Sequence, residues 1–418
     1  MALTALGIIE ISSNINDYEI RQNAMHYFER AFQANPRNPL CISYLAEHYF
    51  ARQEYQLCGE LCDAGLQVLK NKTRPERSDL PTYRLDIEHL RSNFYFILGK
   101  LEHVQERYET AFQQYEESLR HNARNYQTLF CLAKVLFHMG NFKAAETHLN
   151  TVLACNRYKD SYEAIRLLAQ IKARQSRHPD NQAEAFKLFR HVLELNPHDY
   201  DANFEISSLF EETEPKRALV YLEQGVSVMR EHLASAKAGS DRQKAFKFMA
   251  RWPSSFESPQ AHQELAQKMI PPEVLNNLAV LLTQEDRDAE ALQLYEEARA
   301  NCERLSAEGC SEDRRLKALS ITIRFNLACC HDKASRIGEA SEMFKAIINE
   351  VPSYTDAYMR LSNLAKKRGD SKRALSLVET GKANHQKGES HSLPTKLFCM
   401  QGRLLTDLGR LPEAYKEY

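Results

Sequence analysis

Apolar positions along the chain recur at helical rather than strand spacing. A small residue is followed four places later by a large or aliphatic apolar one, and three places after that by another small or aliphatic one. The triplets are Ala24/Phe28/Ala31, Cys58/Cys62/Gly65, Ala111/Tyr115/Ser118, Ala145/Leu149/Val152, Ala185/Phe189/Val192, Ala218/Leu222/Gly225, Ala291/Tyr295/Ala298, Ala340/Phe344/Ile347 and Ala374/Val378/Gly381, with Ala414/Tyr418 opening a tenth. A step of four then three keeps residues on one face of an α-helix, so each triplet predicts the packed face of one amphipathic helix. Twelve residues before the anchor comes a second small residue, as in Leu98-Gly99, Leu132-Ala133 and Leu278-Ala279. It predicts a first helix that approaches the second closely. Pro36, Pro197 and Pro352 fall twelve residues after an anchor, where a proline ends a helix, and Pro215 and Pro412 fall in a helix first turn, where one is tolerated.

The intervals 24 to 58, 111 to 145 and 340 to 374 are each 34 residues. That period, with these anchors and this punctuation, resembles the tetratricopeptide repeat. The implied fold is all-α: a solenoid of helical hairpins wound as a right-handed superhelix, with first helices forming an inner wall. HEAT or armadillo arrays are the competing helical architectures. The other intervals are 53, 40, 33, 73, 49 and 40 residues and place insertions. We expect repeats over 1–229 (about six hairpins), a helical insertion over 230–271, and repeats over 272–418 (about four hairpins, the last incomplete). Asn71 to Pro81 reads as a lengthened loop, Gln175 to Asn181 as a connector inside a hairpin, and Asn301 to Leu319 as an extension of a helix pair broken at Gly309.

Composition narrows the function classes. The 55 basic and 56 acidic residues nearly cancel, so no global field draws the chain to nucleic acid or to an anionic membrane. The closest two glycines, Gly59 and Gly65, are six apart. Dinucleotide-binding, nucleophile-elbow and P-loop motifs need spacings of two, four and five and are excluded. The ten cysteines contain no CxxC pair and read as small buried apolar residues of a reducing compartment. The apolar start has no basic residue before Arg21, and no apolar run reaches membrane-spanning length. Cys329-Cys330-His331 lacks the ligand set and spacing of a zinc site. No cofactor, metal or catalytic residue is expected.

Binding residues follow from the phase. Phe96, Lys100, Phe130, Lys134, Asn276, Asn326, Arg360 and Asn363 are expected on the inner wall. Chaperone-binding repeats clamp a terminal carboxylate with Lys and Asn; here Asn326 and Arg360 match, whereas Asn276, Val280 and Asp356 do not supply the other donors. Within the insertion, Ala245, Met249 and Trp252 make one stripe of a basic helix that Pro253 ends, with Phe256 beyond it. Met249, Trp252 and Phe256 are candidates either for packing back on the solenoid or for docking a partner. Lys366-Lys367-Arg368 with Lys372 and Arg373 reads as a solvated hairpin turn, with a patch for phosphate or an acidic partner as the alternative.

Three segments carry a closer resemblance. They are Arg30-Ala31-Phe32-Gln33-Ala34-Asn35-Pro36 leading to Leu45-Ala46-Glu47-His48-Tyr49-Phe50, then Pro271-Pro272-Glu273-Val274-Leu275-Asn276-Asn277-Leu278, then Phe325-Asn326-Leu327-Ala328 followed by Glu339-Ala340-Ser341-Glu342-Met343-Phe344-Lys345. Together, from about Ala2 to Ala383, they resemble the tetratricopeptide scaffold subunit of the RNA polymerase II-associated factor (Paf) complex, the Cln-three-requiring protein nine family. The resemblance implies a nuclear, non-enzymatic scaffold that binds the Paf subunit and the parafibromin-type subunit. It also implies contact with RNA polymerase II through the assembled complex, support of elongation and histone modification, and no direct contact with nucleic acid or membrane. Met1 at a first turn and Tyr418 in a half-complete helix further suggest a piece of a longer scaffold. A tetratricopeptide targeting module of a larger enzyme and a chaperone adaptor are the alternatives.

Overall fold

The structure is a computed structural model that describes residues 2–13, 18–70, 81–175, 179–237, 269–307, 314–387 and 395–417. All regular structure within them is helical. Met249, Trp252 and Phe256 lie outside the described residues, as do 71–80 of the lengthened loop and Gly309.

The helices fall into two compact units, Met1–Pro197 and His198–Tyr418. The first holds α1 (Ala2–Ser13), α2 (Tyr18–Ala34), α3 (Pro39–Ala51), α4 (Tyr55–Lys70), α5 (Pro81–Val104), α6 (Tyr108–His121), α7 (Tyr126–His138), α8 (Phe142–Leu153), α9 (Tyr162–Arg174) and α10 (Pro179–Leu195). The second holds α11 (Tyr200–Phe210), α12 (Pro215–Lys237), α13 (Pro272–Gln284), α14 (Asp288–Leu305), α15 (Arg314–Lys333), α16 (Ile337–Glu350), α17 (Thr355–Lys367), α18 (Ser371–Lys387), α19 (Thr395–Asp407) and α20 (Leu411–Glu417). Each odd helix pairs with the even helix after it, and in each unit these hairpins stack on their neighbours. This is the all-α tetratricopeptide solenoid that the repeat phase predicts.

The anchors explain why the hairpins close. Ala24, Cys58, Ala111, Ala145, Ala185, Ala218, Ala291, Ala340 and Ala374 are fully buried. The residues four places on, Phe28, Cys62, Tyr115, Leu149, Phe189 and Phe344, are equally inaccessible. A single hairpin cannot cover such a face, so burying it needs the neighbouring hairpin. Burying one of these large side chains contributes roughly 1.5–3 kcal/mol.

The small residues set how closely helices approach. A methyl group added at Gly99 would lie 2.5 Å from the Tyr115 ring, and one at Gly65 would lie 2.3 Å from the tip of Phe94. Both distances are inside van der Waals contact, so each glycine is the socket for an aromatic ring, from the paired helix at Gly99 and from the next hairpin at Gly65. A buried polar network also crosses this stack. The Ser118 hydroxyl donates to the Ser92 carbonyl at 2.8 Å and lies 3.1 Å from the Thr128 hydroxyl, while Asn125 donates to the Ser92 hydroxyl at 3.3 Å.

The turn inside most hairpins uses one left-handed residue, five places before the anchor. Glycine fills it at Gly140, Gly369 and Gly409, while Gln53, Glu106, Asp286 and Ser335 adopt the same positive φ of 58–64°. The Lys366-Lys367-Arg368 run ends α17 at such a turn. Two of its cations are engaged, Lys366 with Asp407 at 2.5 Å and Lys367 with Asp332 at 2.6 Å.

Two insertions differ from expectation. Pro179 starts α10, so the connector expected over Gln175 to Asn181 is shorter, and its Pro179-Asp180-Asn181 end is helical. Proline at the first turn is pre-organised for a helix, which outweighs the polar character of the segment. Pro81 likewise belongs to a helix: it opens α5, a 24-residue first helix. Residues 230–237 of the expected insertion continue α12.

Candidate partner-binding wall

In the first unit the odd helices α3, α5, α7 and α9 lie beside one another. The residue just after each small position projects from this wall: Glu47 after Ala46, Lys100 after Gly99, Lys134 after Ala133. Lys100 Nζ stands 4.1 Å from the centroid of the Phe50 ring and 5.4 Å from that of Phe96. Lys134 Nζ stands 4.3 Å from the Phe130 centroid. An ammonium over an aromatic face is held by the ring quadrupole, worth about 0.5–1 kcal/mol where solvent reaches it. Tyr115 forms the floor, fully buried, its ring 6.1 Å from Phe96. Its hydroxyl has no oxygen or nitrogen partner among the described residues and faces the Cys131 thiol.

All four expected wall residues of this unit, Phe96, Lys100, Phe130 and Lys134, are half-buried on this surface. Phe50, Glu47 and Cys131 belong with them and were not on the expected list. The phase that selects Lys100 and Lys134 also selects Glu47. Phe50 reaches the wall through its contact with Lys100, a pairing across two hairpins that sequence does not display.

Burial pushes the Glu47 carboxyl above the usual carboxylate range, while Lys100 pulls it the other way. Glu47 is nevertheless open to solvent, the situation of a carboxylate on a concave surface with protein around it and water in front. Since the folded-state value is raised, ionised Glu47 weakens the fold as pH rises from about 4.5 through the folded value. Glu47→Gln is expected to stabilise the chain by about 0.5 kcal/mol at pH 7, kept small by solvent screening, with no difference near pH 4. Urea unfolding at the two pH values measures it.

In the second unit, Asn276 and Asn326 meet. Asn326 Nδ2 donates to Asn276 Oδ1 at 3.0 Å, across α15 and α13. Arg360 and Asn363 are exposed on α17. Burial pushes the Cys329 thiol up to about 11, with Arg360 lowering it and Asp356 raising it, so these groups face one neighbourhood. This hydrogen bond engages Asn326 Nδ2 and Asn276 Oδ1, and Asn276 Nδ2 donates to Asn277 Oδ1 at 3.4 Å, so part of each amide is already in use. His331 is buried with Glu339 3.1 Å from Nδ1, and no group of three or more metal-ligating side chains occurs among the described residues. No helix among them is long and apolar enough to cross a membrane.

Comparisons agree with this architecture. Tetratricopeptide repeat models match residues 105–171 and 273–306. The chain is 24% identical over 382 residues to the RNA polymerase-associated protein CTR9 of Caenorhabditis elegans, covering 88% of this chain and 28% of that protein. It is 22% identical over 409 residues to the CTR9 homolog of Arabidopsis thaliana, covering 90% of this chain and 32% of that protein. Tetratricopeptide repeat protein 1 of Schizosaccharomyces pombe is 21% identical over 355 residues, with shares of 83% and 28%. The chain thus spans about a third or less of the curated relatives it matches. Among solved structures, PilF of Pseudomonas aeruginosa aligns with 68% of this chain and 99% of its own at 14% identity and a TM-score of 0.42. Part of a Cytophaga hutchinsonii tetratricopeptide protein aligns with 76% and 98% at 14% and 0.41. The fold is an all-α tetratricopeptide solenoid, a protein-interaction fold with repeat matches at 105–171 and 273–306, and the chain resembles the CTR9 proteins over most of its length.

Proposed function

We propose that the chain is the repeat region of a non-enzymatic scaffold subunit of the Paf transcription elongation complex. Its walls of odd helices hold segments of the Paf subunit and of the parafibromin-type subunit in the nucleus. Through that assembly it supports RNA polymerase II elongation and co-transcriptional histone modification. The observation that carries the reading is the likeness to RNA polymerase-associated CTR9 over 88% of the chain. Physically, stacked hairpins present a long wall of fixed side chains, which suits the capture of extended or helical segments rather than the enclosure of a small substrate.

Co-expression with the Paf subunit from the same source, followed by size exclusion, tests it. Co-elution at defined stoichiometry is expected. A folded chain that elutes alone overturns the reading. The chaperone-adaptor alternative predicts capture of an acidic C-terminal peptide by the second unit. The Asn276–Asn326 hydrogen bond, with Val280 and Asp356 at the remaining positions, speaks against it.

A further inference from the structure

We infer that the wall of the first unit carries a receiving site for carboxylate side chains of a partner polypeptide, formed by Lys100 and Lys134 on their phenylalanine platforms. The inference rests on the scaffold reading and adds the chemistry of what is held: an acidic segment with apolar residues beside each acid.

Among the described residues several lysines close a polar contact, and Lys382, which stands over Phe398, also donates to Gln401 at 2.8 Å. Lys172 is closed by Glu146 at 2.8 Å and Glu184 at 2.9 Å. Lys333, Lys366 and Lys367 each meet an aspartate of a neighbouring hairpin. Lys100 and Lys134 are as sheltered as many of these, yet among the described residues their ammonium groups contact aromatic rings and close no ion pair. A ring face engages one side of an ammonium and leaves its remaining N–H groups directed outward. Both cations act on the same thiol, that of Cys131, so their fields converge on one stretch of wall.

The surroundings select the occupant. Glu47 acts on Lys100 from one side, and Glu163 acts on Cys131 from the other, so the cationic stretch is short and bounded by acids. A polyanion such as nucleic acid or an anionic lipid surface would meet those two carboxylates. A polypeptide with one or two acids in register with Lys100 and Lys134 avoids them. The exposed edges of Phe50, Phe96 and Phe130 then take apolar side chains on either side, as charge-assisted hydrogen bonds and apolar contact combine at protein interfaces.

The probe is a fluorescein-labelled twelve-residue peptide alternating Asp with Phe or Leu, followed by anisotropy beside its Asn and Lys counterparts. The Asp peptide is expected to bind about tenfold more tightly than the Asn peptide, as suits charge-assisted contacts, and the Lys peptide weakest of all. Lys100→Met with Lys134→Met keeps the aliphatic stems on the rings and should erase the preference while the helical circular dichroism spectrum stays unchanged and the melting point falls by only a few degrees, roughly what loss of two ring contacts costs. Equal binding of Asp and Asn peptides, or a preference that survives the double substitution, overturns the site. Displacement of the peptide by a twelve-nucleotide single-stranded DNA overturns the choice of occupant. The same variant separates this inference from the scaffold reading. If the Paf subunit co-elutes equally with wild type and double variant, the carboxylate site fails and the scaffold stands. If the Asp preference holds but the Paf subunit never co-elutes, the scaffold reading fails and the site stands.

Discussion

Gly65→Ala will destabilise the first unit by about 2–3 kcal/mol, whereas Gly59→Ala, six residues earlier on the same helix, will stabilise it by about 0.5–1 kcal/mol. Helix propensity favours both substitutions, because glycine within a helix costs up to about 1 kcal/mol relative to alanine. Packing separates them. At Gly59 the nearest atom to a new methyl is a Leu101 methyl carbon at 3.8 Å, an ordinary contact. At Gly65 three atoms of the Phe94 ring stand at 2.3–2.8 Å, and that ring is fully buried, in the kind of interior that is close-packed. Phe94→Leu in the Gly65→Ala background should recover part of the loss. The two substitutions should therefore couple by about 1–2 kcal/mol, the mark of direct contact. Urea unfolding of the four proteins of the cycle, with Gly59→Ala as control, measures it. A stabilising Gly65→Ala would mean that α4 and α5 do not meet through this socket.

Tyr115→Ala will cost about 3–5 kcal/mol, the range for removing a fully buried aromatic ring, while Tyr115→Phe will be neutral or slightly stabilising. The ring fills the space above Gly99 and supports Phe96, so its loss leaves a cavity beneath the wall. Its hydroxyl has no oxygen or nitrogen partner among the described residues and faces only the Cys131 thiol, and burial raises its ionisation far above the tyrosine range. A buried hydroxyl whose nearest polar neighbour is a thiol, a weak hydrogen-bonding group, adds little that phenylalanine would lack. Thermal unfolding by circular dichroism distinguishes the two: a large drop in midpoint for alanine and no drop for phenylalanine. Equal losses would show that the hydroxyl holds a partner that matters to the fold.

The repeat was legible because its determinants are local. Anchors four and seven apart share a helix face whatever lies elsewhere, and prolines mark helix ends by their missing amide. Where the determinant is not local, sequence falls short. Gly140, Gly369 and Gly409 announce left-handed turns, but Gln53, Glu106, Asp286 and Ser335 adopt the same conformation without any residue-type signal. They are held there by the hairpins they join. Pro81 and Pro179 stand in polar, proline-bearing segments of the kind that favour turns, yet both open helices. On the wall, phase placed Lys100 and Lys134, but the Phe50 ring over Lys100 and the Asn326–Asn276 hydrogen bond join residues fifty positions apart. Pairings of that kind emerge only from stacking.

The central claim is that the odd helices hold the partner. Hydrogen–deuterium exchange of the chain alone and in complex with the co-expressed Paf subunit tests it most directly, read helix by helix. Binding is predicted to slow exchange on odd helices, with α5 and α7 around Lys100 and Lys134 among them, and to leave the outward faces of even helices such as α6 and α8 unchanged. Protection confined to even helices, or none on α5 and α7 in a stable complex, would contradict the account.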